Sequence, residues 1–434
     1  MGKSSRRLGG TRAGRTTALA AGLSALVLGV AACGSSGVDG GDSGGSGGGD
    51  DAAAESVVDL DSVSDEDAQK MADLAFGTTD ISLDSLDPTV QEALKRAAIE
   101  LTPEQKDKAF ECWQATTCEI GDGKTTLGIA EGFGGNLWRK VAKMEIILQA
   151  MTYPDIGKII FTDANADLPT FLANVRSLSS QGAKAIVSYN DFGTAALPAF
   201  KAAQAQGAVI STYVGPTPDA PADSLSNQIT GDVCAMGEEM EQVAVDDLGL
   251  TGDLAILNGT PGNPQGAAWN KCLEDSLPSG VEIGQKVDTD WTLAGAFDAG
   301  SALVSSGTDY GAIFYDYADP IPQVVEAYSK ADKKIPAIIT WTSNNGMARV
   351  WEEKLGTPDE FPLYHTSALT WESRASVTAV MKQLAGEEVE PVVIVPRPFV
   401  KAEKGYYLSD RPDDYPGPSA LVPDDVMTRM LSDG

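Results

Sequence analysis

The chain reads as an α/β protein of two consecutive doubly wound parallel-sheet lobes with an N-terminal acidic helical extension. Three observations predict this. Short apolar strands start at intervals of roughly 25–30 residues from Lys124 onward, the size of a βαβ unit. Helical periodicity fills the gaps between them. The series breaks once, at the Pro-rich stretch 216–221, and then resumes. With 434 residues there is material for two or three ordinary domains.

Taken in order, Thr126-Leu127-Gly128-Ile129-Ala130 is a buried strand, and Val141, Met144, Leu148 and Met151 follow at helical spacing. Lys158-Ile159-Ile160-Phe161 is the next strand. Leu168, Phe171, Leu172, Val175 and Leu178 form one apolar helix face, which Gln181-Gly182 ends. Ala185-Ile186-Val187 and Ala208-Val209-Ile210 continue the alternation, with a helix through Leu197 and Phe200 between them. After the break, strands are expected at 254–257, 281–287, 312–314 and 337–339, each followed by a helix. A late helix over 373–384 and an apolar strand over 392–395 follow, placed to cross back between the lobes. Before the body, 55–118 reads as helical; Thr102-Pro103-Glu104-Gln105 carries a capping Thr, Pro at the first helical position and Gln three residues on. The boundaries this implies are 55–123 for the acidic extension, 124–228 plus 366–390 for lobe 1, and 229–365 plus 391–434 for lobe 2 and the tail.

Charge and composition exclude several functions. There are 32 Lys+Arg against 62 Asp+Glu, a net charge of -30, which argues against a nucleic-acid partner. A single His leaves little scope for His-based acid/base chemistry or His-ligated metals, so no cofactor or metal is expected. No Gly-x-Ser-x-Gly elbow stands in the strand–helix alternation from Lys124 onward, which disfavours an enzyme. Gly123-Lys124-Thr125 is not a phosphate loop, because position 118 is Cys rather than Gly and a strand follows instead of a helix.

Residues 1–32 hold Lys3, Arg6, Arg7, Arg12 and Arg15, no acidic residue, and an apolar run from Ala18 to Ala32. That is a secretory leader, too short for a spanning helix. It ends Val30-Ala31-Ala32-Cys33-Gly34, which resembles the lipobox of bacterial lipoproteins; the resemblance implies cleavage before Cys33 and diacylation of its thiol. Arg6-Arg7 also fits twin-arginine export, though its surroundings match poorly. Residues 33–54, nearly all Gly, Ser, Asp and Ala, make a flexible tether. Cys112, Cys118, Cys234 and Cys272 remain, an even number that in an exported chain reads as disulfides. Of the three possible pairings we favour Cys112–Cys118 and Cys234–Cys272.

In doubly wound sheets, ligands lie beyond the carboxyl ends of the strands. The loops there are 131–139, 188–194, 211–215, 258–263, 316–320 and 341–346. They are rich in Asn, Asp, Tyr and Trp, a composition suited to hydroxyl groups and apolar ring faces. Trp138, Trp269 and Trp341 sit near loop ends and are candidate stacking platforms, whereas Trp291 and Trp371 open helices and read as packing. The blander readings are turn capping for Asp191 and Asp316, a surface ion pair for Arg139, and a crossover position for His365.

From Lys124 to Val400 the sequence resembles the type I periplasmic sugar-binding proteins, the ribose- and galactose-binding-like receptors of ABC importers. The resemblance rests on Gly132-Phe133-Gly134-Gly135-Asn136-Leu137-Trp138-Arg139, on Ser180-Gln181-Gly182-Ala183-Lys184-Ala185-Ile186-Val187 and on Leu257-Asn258-Gly259-Thr260-Pro261-Gly262-Asn263. It implies two lobes joined by a hinge that close on one sugar-like solute, a monomer that delivers it to permease and ATPase subunits, and an extracytoplasmic, lipid-anchored location. By position it implies ligand contacts from Asn136, Trp138, Arg139, Asp191, Tyr213, Asp316 and the 342–344 stretch with Asn344; Asn258, Trp269 and Trp341 join the candidates from their places near strand-end loops. Where many relatives carry an Arg in the second lobe, this chain has Trp269, which points to a larger or less polar solute. A sensing subunit that presents the solute to a membrane receptor would use the same fold.

Overall fold

Local sequence chemistry sets the first helices. The structure, a computed structural model, describes residues 60–261 and 264–433; the leader, Cys33, the tether, Gly262 and Asn263 lie outside them. Helix α1 (Asp65–Phe76) is capped by Ser64 and closed by Gly77 in the left-handed conformation. Helix α2 (Pro88–Ala97) is capped by Asp87. Helix α3 (Pro103–Gln114) has a complete capping box: Thr102 accepts from the Gln105 amide at 3.2 Å, and Gln105 accepts from the Thr102 amide at 2.9 Å.

Lobe 1 then runs β1 (Thr117–Glu119), β2 (Thr125–Glu131), α4 (Leu137–Ala150), β3 (Ile156–Asp163), α5 (Leu168–Ser180), β4 (Ala183–Tyr189), α6 (Leu197–Gln204), β5 (Val209–Val214) and β6 (Asn227–Thr230). Lobe 2 runs α7 (Val233–Gln242), β7 (Gly252–Asn258), α8 (Pro264–Ser276), β8 (Val281–Asp288), α9 (Leu293–Ser306), β9 (Ala312–Tyr315), α10 (Ile321–Lys330), β10 (Ala337–Thr340), α11 (Asn345–Lys354) and β11 (Leu363–His365). The chain returns with α12 (Glu372–Leu384), β12 (Val392–Ile394), β13 (Val400–Lys401) and α13 (Asp424–Asp433). The sheets are ordered β1-β3-β2-β4-β5-β6-β12 and β13-β11-β10-β9-β7-β8, parallel except for the edge pairs β1–β3 and β11–β13. Both therefore contain the same doubly wound core order, with one switch point each: between β2 and β4 in lobe 1, and between β7 and β9 in lobe 2.

Three findings differ from the sequence expectation. The acidic extension is part of lobe 1: Ala72, Phe76, Leu94 and Phe110 share one core with α4 and α12, and Phe76 meets Trp371 edge-on at 5.1 Å. Strand β6 carries no apolar run, yet it is wholly buried; Asn227 donates to Gln383 at 3.0 Å, Gln228 accepts from the Thr217 amide at 2.6 Å and Thr230 donates to the Val214 carbonyl at 2.8 Å. The tail does not stay with lobe 2. Strand β12 pairs with β6 in lobe 1, β13 pairs with β11 in lobe 2, and the following segment stays with lobe 2 through Ala402 and Tyr406 before it reaches lobe 1, where Leu421 and Val422 enter the core. Both expected disulfides are present, Cys112–Cys118 and Cys234–Cys272, each with Cα atoms 5.2 Å apart.

Three crossovers join the lobes, at 231–232, 366–371 and 395–399. One buried ion pair holds them together. Arg397, in the third, donates to Glu372 at the end of the second (3.0 and 2.9 Å) and to the Val214 carbonyl at 3.0 Å. Gly231, in the first, has no Cβ, and one there would lie 2.6 Å from the Arg397 Nε. Among the described residues no helix is long and apolar enough to cross a membrane.

Candidate functional site

The two switch points face each other across the lobes. On the lobe 1 side, β2 ends at Glu131 and α4 begins at Leu137, with Asn136 capping it through its side-chain oxygen (2.9 Å from the Arg139 amide). That cap sets the first turn and points Arg139 back at the end of the sheet. Its guanidinium donates to Glu131 at 3.0 Å and to Asp191 at 2.6 Å, and lies over the Tyr189 ring at 3.2 Å. Glu131 also accepts from the Tyr213 hydroxyl at 2.6 Å. Gly132 makes room for this cluster, since a Cβ there would collide with the Asp191 carboxylate. Burial pushes the Glu131 carboxyl up to about 7 against the pull of Arg139 and Tyr213, and it raises Asp191 as well. Arg139 keeps its charge.

The lobe 2 wall is Trp291, Asp316, Tyr317, Asp319 and Asn344. Asp290 and Trp291 adopt left-handed φ values of 52° and 53°, a strained turn that aims the indole at Asp316 (2.9 Å). The ring lies across Gly259, where any Cβ would overlap it. Tyr317 donates to Asp319 at 2.7 Å, and Asn344 donates to the same carboxylate at 3.0 Å while capping α11. Burial holds both Asp316 and Asp319 at about 6. The Tyr317 phenol feels the Arg139 charge, so the two walls are within electrostatic reach of each other.

Residues 129–388, more than half of the chain, match the family model described as the periplasmic binding protein domain. The chain belongs to the periplasmic binding protein family. No curated protein matches it. Similar solved structures include an ABC transporter solute binding protein from Bacillus halodurans C-125 with bound myo-inositol, 16% identical, with a TM-score of 0.56, covering 64% of this chain and 95% of that one. Another, from Actinobacillus succinogenes 130z with bound D-allose, is 17% identical with a TM-score of 0.54, covering 64% and 97%. The binding component of the arabinose ABC transporter from Shewanella sp. ANA-3 is 17% identical with a TM-score of 0.55, covering 64% and 92%. At such identities the likeness is one of fold.

In this periplasmic binding protein the residues singled out by sequence fall into three groups. Arg139, Asp191, Asp316 and Asn344 stand at the two walls. Asn136 caps the helix that carries Arg139 and Tyr213 lies fully buried behind Glu131, whereas Asn258 accepts from Asn270 at 2.7 Å and borders a groove of about 480 Å³ along α8. Trp138 spans to the second crossover, its indole donating to the Ala368 carbonyl at 2.7 Å, with its ring edge-on to Tyr189. Trp269 and Trp341 require correction as stacking platforms. Both pack in the lobe 2 core beside Leu254 and Phe314, with ring centroids 5.8 Å apart. Trp291, read as packing, takes the place at the wall. Its position at a helix start masked a left-handed turn that no periodicity reports. Glu131, Tyr189, Tyr317 and Asp319 were not singled out, although all four belong to the strand-end loops that the sequence marked.

Proposed function

We propose that this protein is the extracytoplasmic solute-binding component of an ABC importer, anchored by lipid on Cys33, and that it takes a sugar-like solute between its lobes and passes it on to permease and ATPase subunits without altering it. The observation that carries this reading is the pairing of the walls. Arg139 and Asp191 supply a donor and an acceptor from lobe 1, and Asp316, Trp291 and Tyr317 supply an acceptor and ring faces from lobe 2. A hydroxylated ring needs that combination of polar edge contacts and apolar face contacts. Contacts from both lobes favour the closed arrangement by differential binding, with the crossovers absorbing the change. A bound solute at about 100 times its Kd stabilises the folded chain by about 2.7 kcal/mol. A thermal-shift screen of pentoses, hexoses, polyols and cyclitols, together with their amino derivatives, is therefore expected to give a rise of several degrees for one class, with the solute recovered unchanged. No shift from any of them, or a chemically converted solute, contradicts the reading.

A further inference from the structure

The walls carry an excess of negative charge. In lobe 1, Glu131 and Asp191 share the single Arg139 cation. In lobe 2, neither Asp316 nor Asp319 has a basic partner among the described residues; the groups acting on them are indoles, Tyr317, Asn344 and the acidic Asp414. The lysines of the neighbouring groove are committed, Lys271 to Asp275 and Lys286 to Glu274. The donors around Asp316 favour its ionised form without cancelling its charge. Trp291 donates to it at 2.9 Å, and the completely buried Trp269 indole directs its N–H at the same carboxylate. Each carboxylate has about four acceptor sites, so room for further donors remains.

A neutral sugar can donate hydroxyls to these oxygens, but closing the lobes over it would desolvate carboxylates that nothing neutralises. An ammonium group removes that cost and is also attracted to the faces of Trp and Tyr rings. An anionic sugar meets the opposite situation. We propose that the solute is a hydroxylated amine, an aminosugar or aminocyclitol, whose ammonium group pairs with an unneutralised carboxylate of the lobe 2 wall, Asp316 beside Trp291 or Asp319 beside Tyr317. This rests on the solute-binding reading above and sharpens it.

Calorimetric titration of the purified protein with matched pairs tests it: D-glucosamine against D-glucose, D-galactosamine against D-galactose, and scyllo-inosamine against scyllo-inositol. The amine of at least one pair is expected to bind ten-fold or more tightly than its neutral twin. In Asp316→Asn or in Asp319→Asn, both checked for folding by their melting curves, that ratio is expected to fall to within about two-fold. The wild-type ratios stand whether or not the variants fold. A neutral sugar that binds as well as its amine overturns the ammonium site and leaves the sugar reading intact. Failure of every amine and every neutral solute to bind overturns both.

Discussion

Asp316 shows how one side chain records the character of the site. Burial raises its carboxyl to about 6 from 3.8, with Trp291 and Trp269 pulling the other way. Between those values the folded chain holds a proton that the unfolded chain has released, so this group's contribution to stability falls as pH rises from about 4 to 6. Asp316→Asn removes the term. The stability of the wild type relative to the variant is expected to decline across that window by up to about 3 kcal/mol, read from paired denaturation curves; a difference independent of pH contradicts the assignment. Much at this scale was legible. Arg139, Asp191 and Asp316 are charged residues in strand-end loops of an otherwise apolar pattern, and the structure brings them to the two walls. Trp269 and Trp291 were exchanged because sequence shows that a Trp stands near a strand-end loop but not which way it turns. A left-handed backbone aims one at the cleft, and the face of α8 buries the other.

At the scale of elements, the tail is the least legible feature. Residues 402–423 have no periodicity, and their order comes from side chains elsewhere. Asn345, at the start of α11, donates to the carbonyls of Leu408, Arg411 and Pro412 at 2.9–3.1 Å and accepts from the Leu408 amide at 2.9 Å. Further along, Ser419 accepts from the Ala368 amide at 2.6 Å, and the Leu421 amide donates to Glu145 at 2.6 Å. The segment thus binds α11 in lobe 2, then the second crossover, then α4 in lobe 1. Asn345→Ala removes these bonds and takes the side-chain donor from the half-buried Arg411 carbonyl, and is expected to cost on the order of 1–3 kcal/mol in urea denaturation; a loss below about 0.5 kcal/mol would show that the tail is held by other contacts. The regular elements were read more easily, since buried parallel strands carry unbroken apolar runs. Strand β6 is the exception, because its burial depends on partners from distant loops.

For the molecule as a whole, repetition explains most of what sequence revealed. Two sheets with the same core order each have one switch point, so loops identified separately in each half fall at equivalent strand ends. What repetition does not convey is the connection between the halves. Arg397, Glu372 and Gly231 come from three separated segments and meet at the crossovers. Helices α1–α3 and α13 lie outside residues 129–388, the part that matches the family. The central claim is that one solute is held from both lobes at once. Calorimetric titration of Asp191→Ala and Tyr317→Ala with a solute that binds the wild type tests it most directly. Each variant is expected to bind at least ten-fold more weakly, a loss of about 1.4 kcal/mol. Unchanged affinity in either one would place the solute within a single lobe and contradict the account.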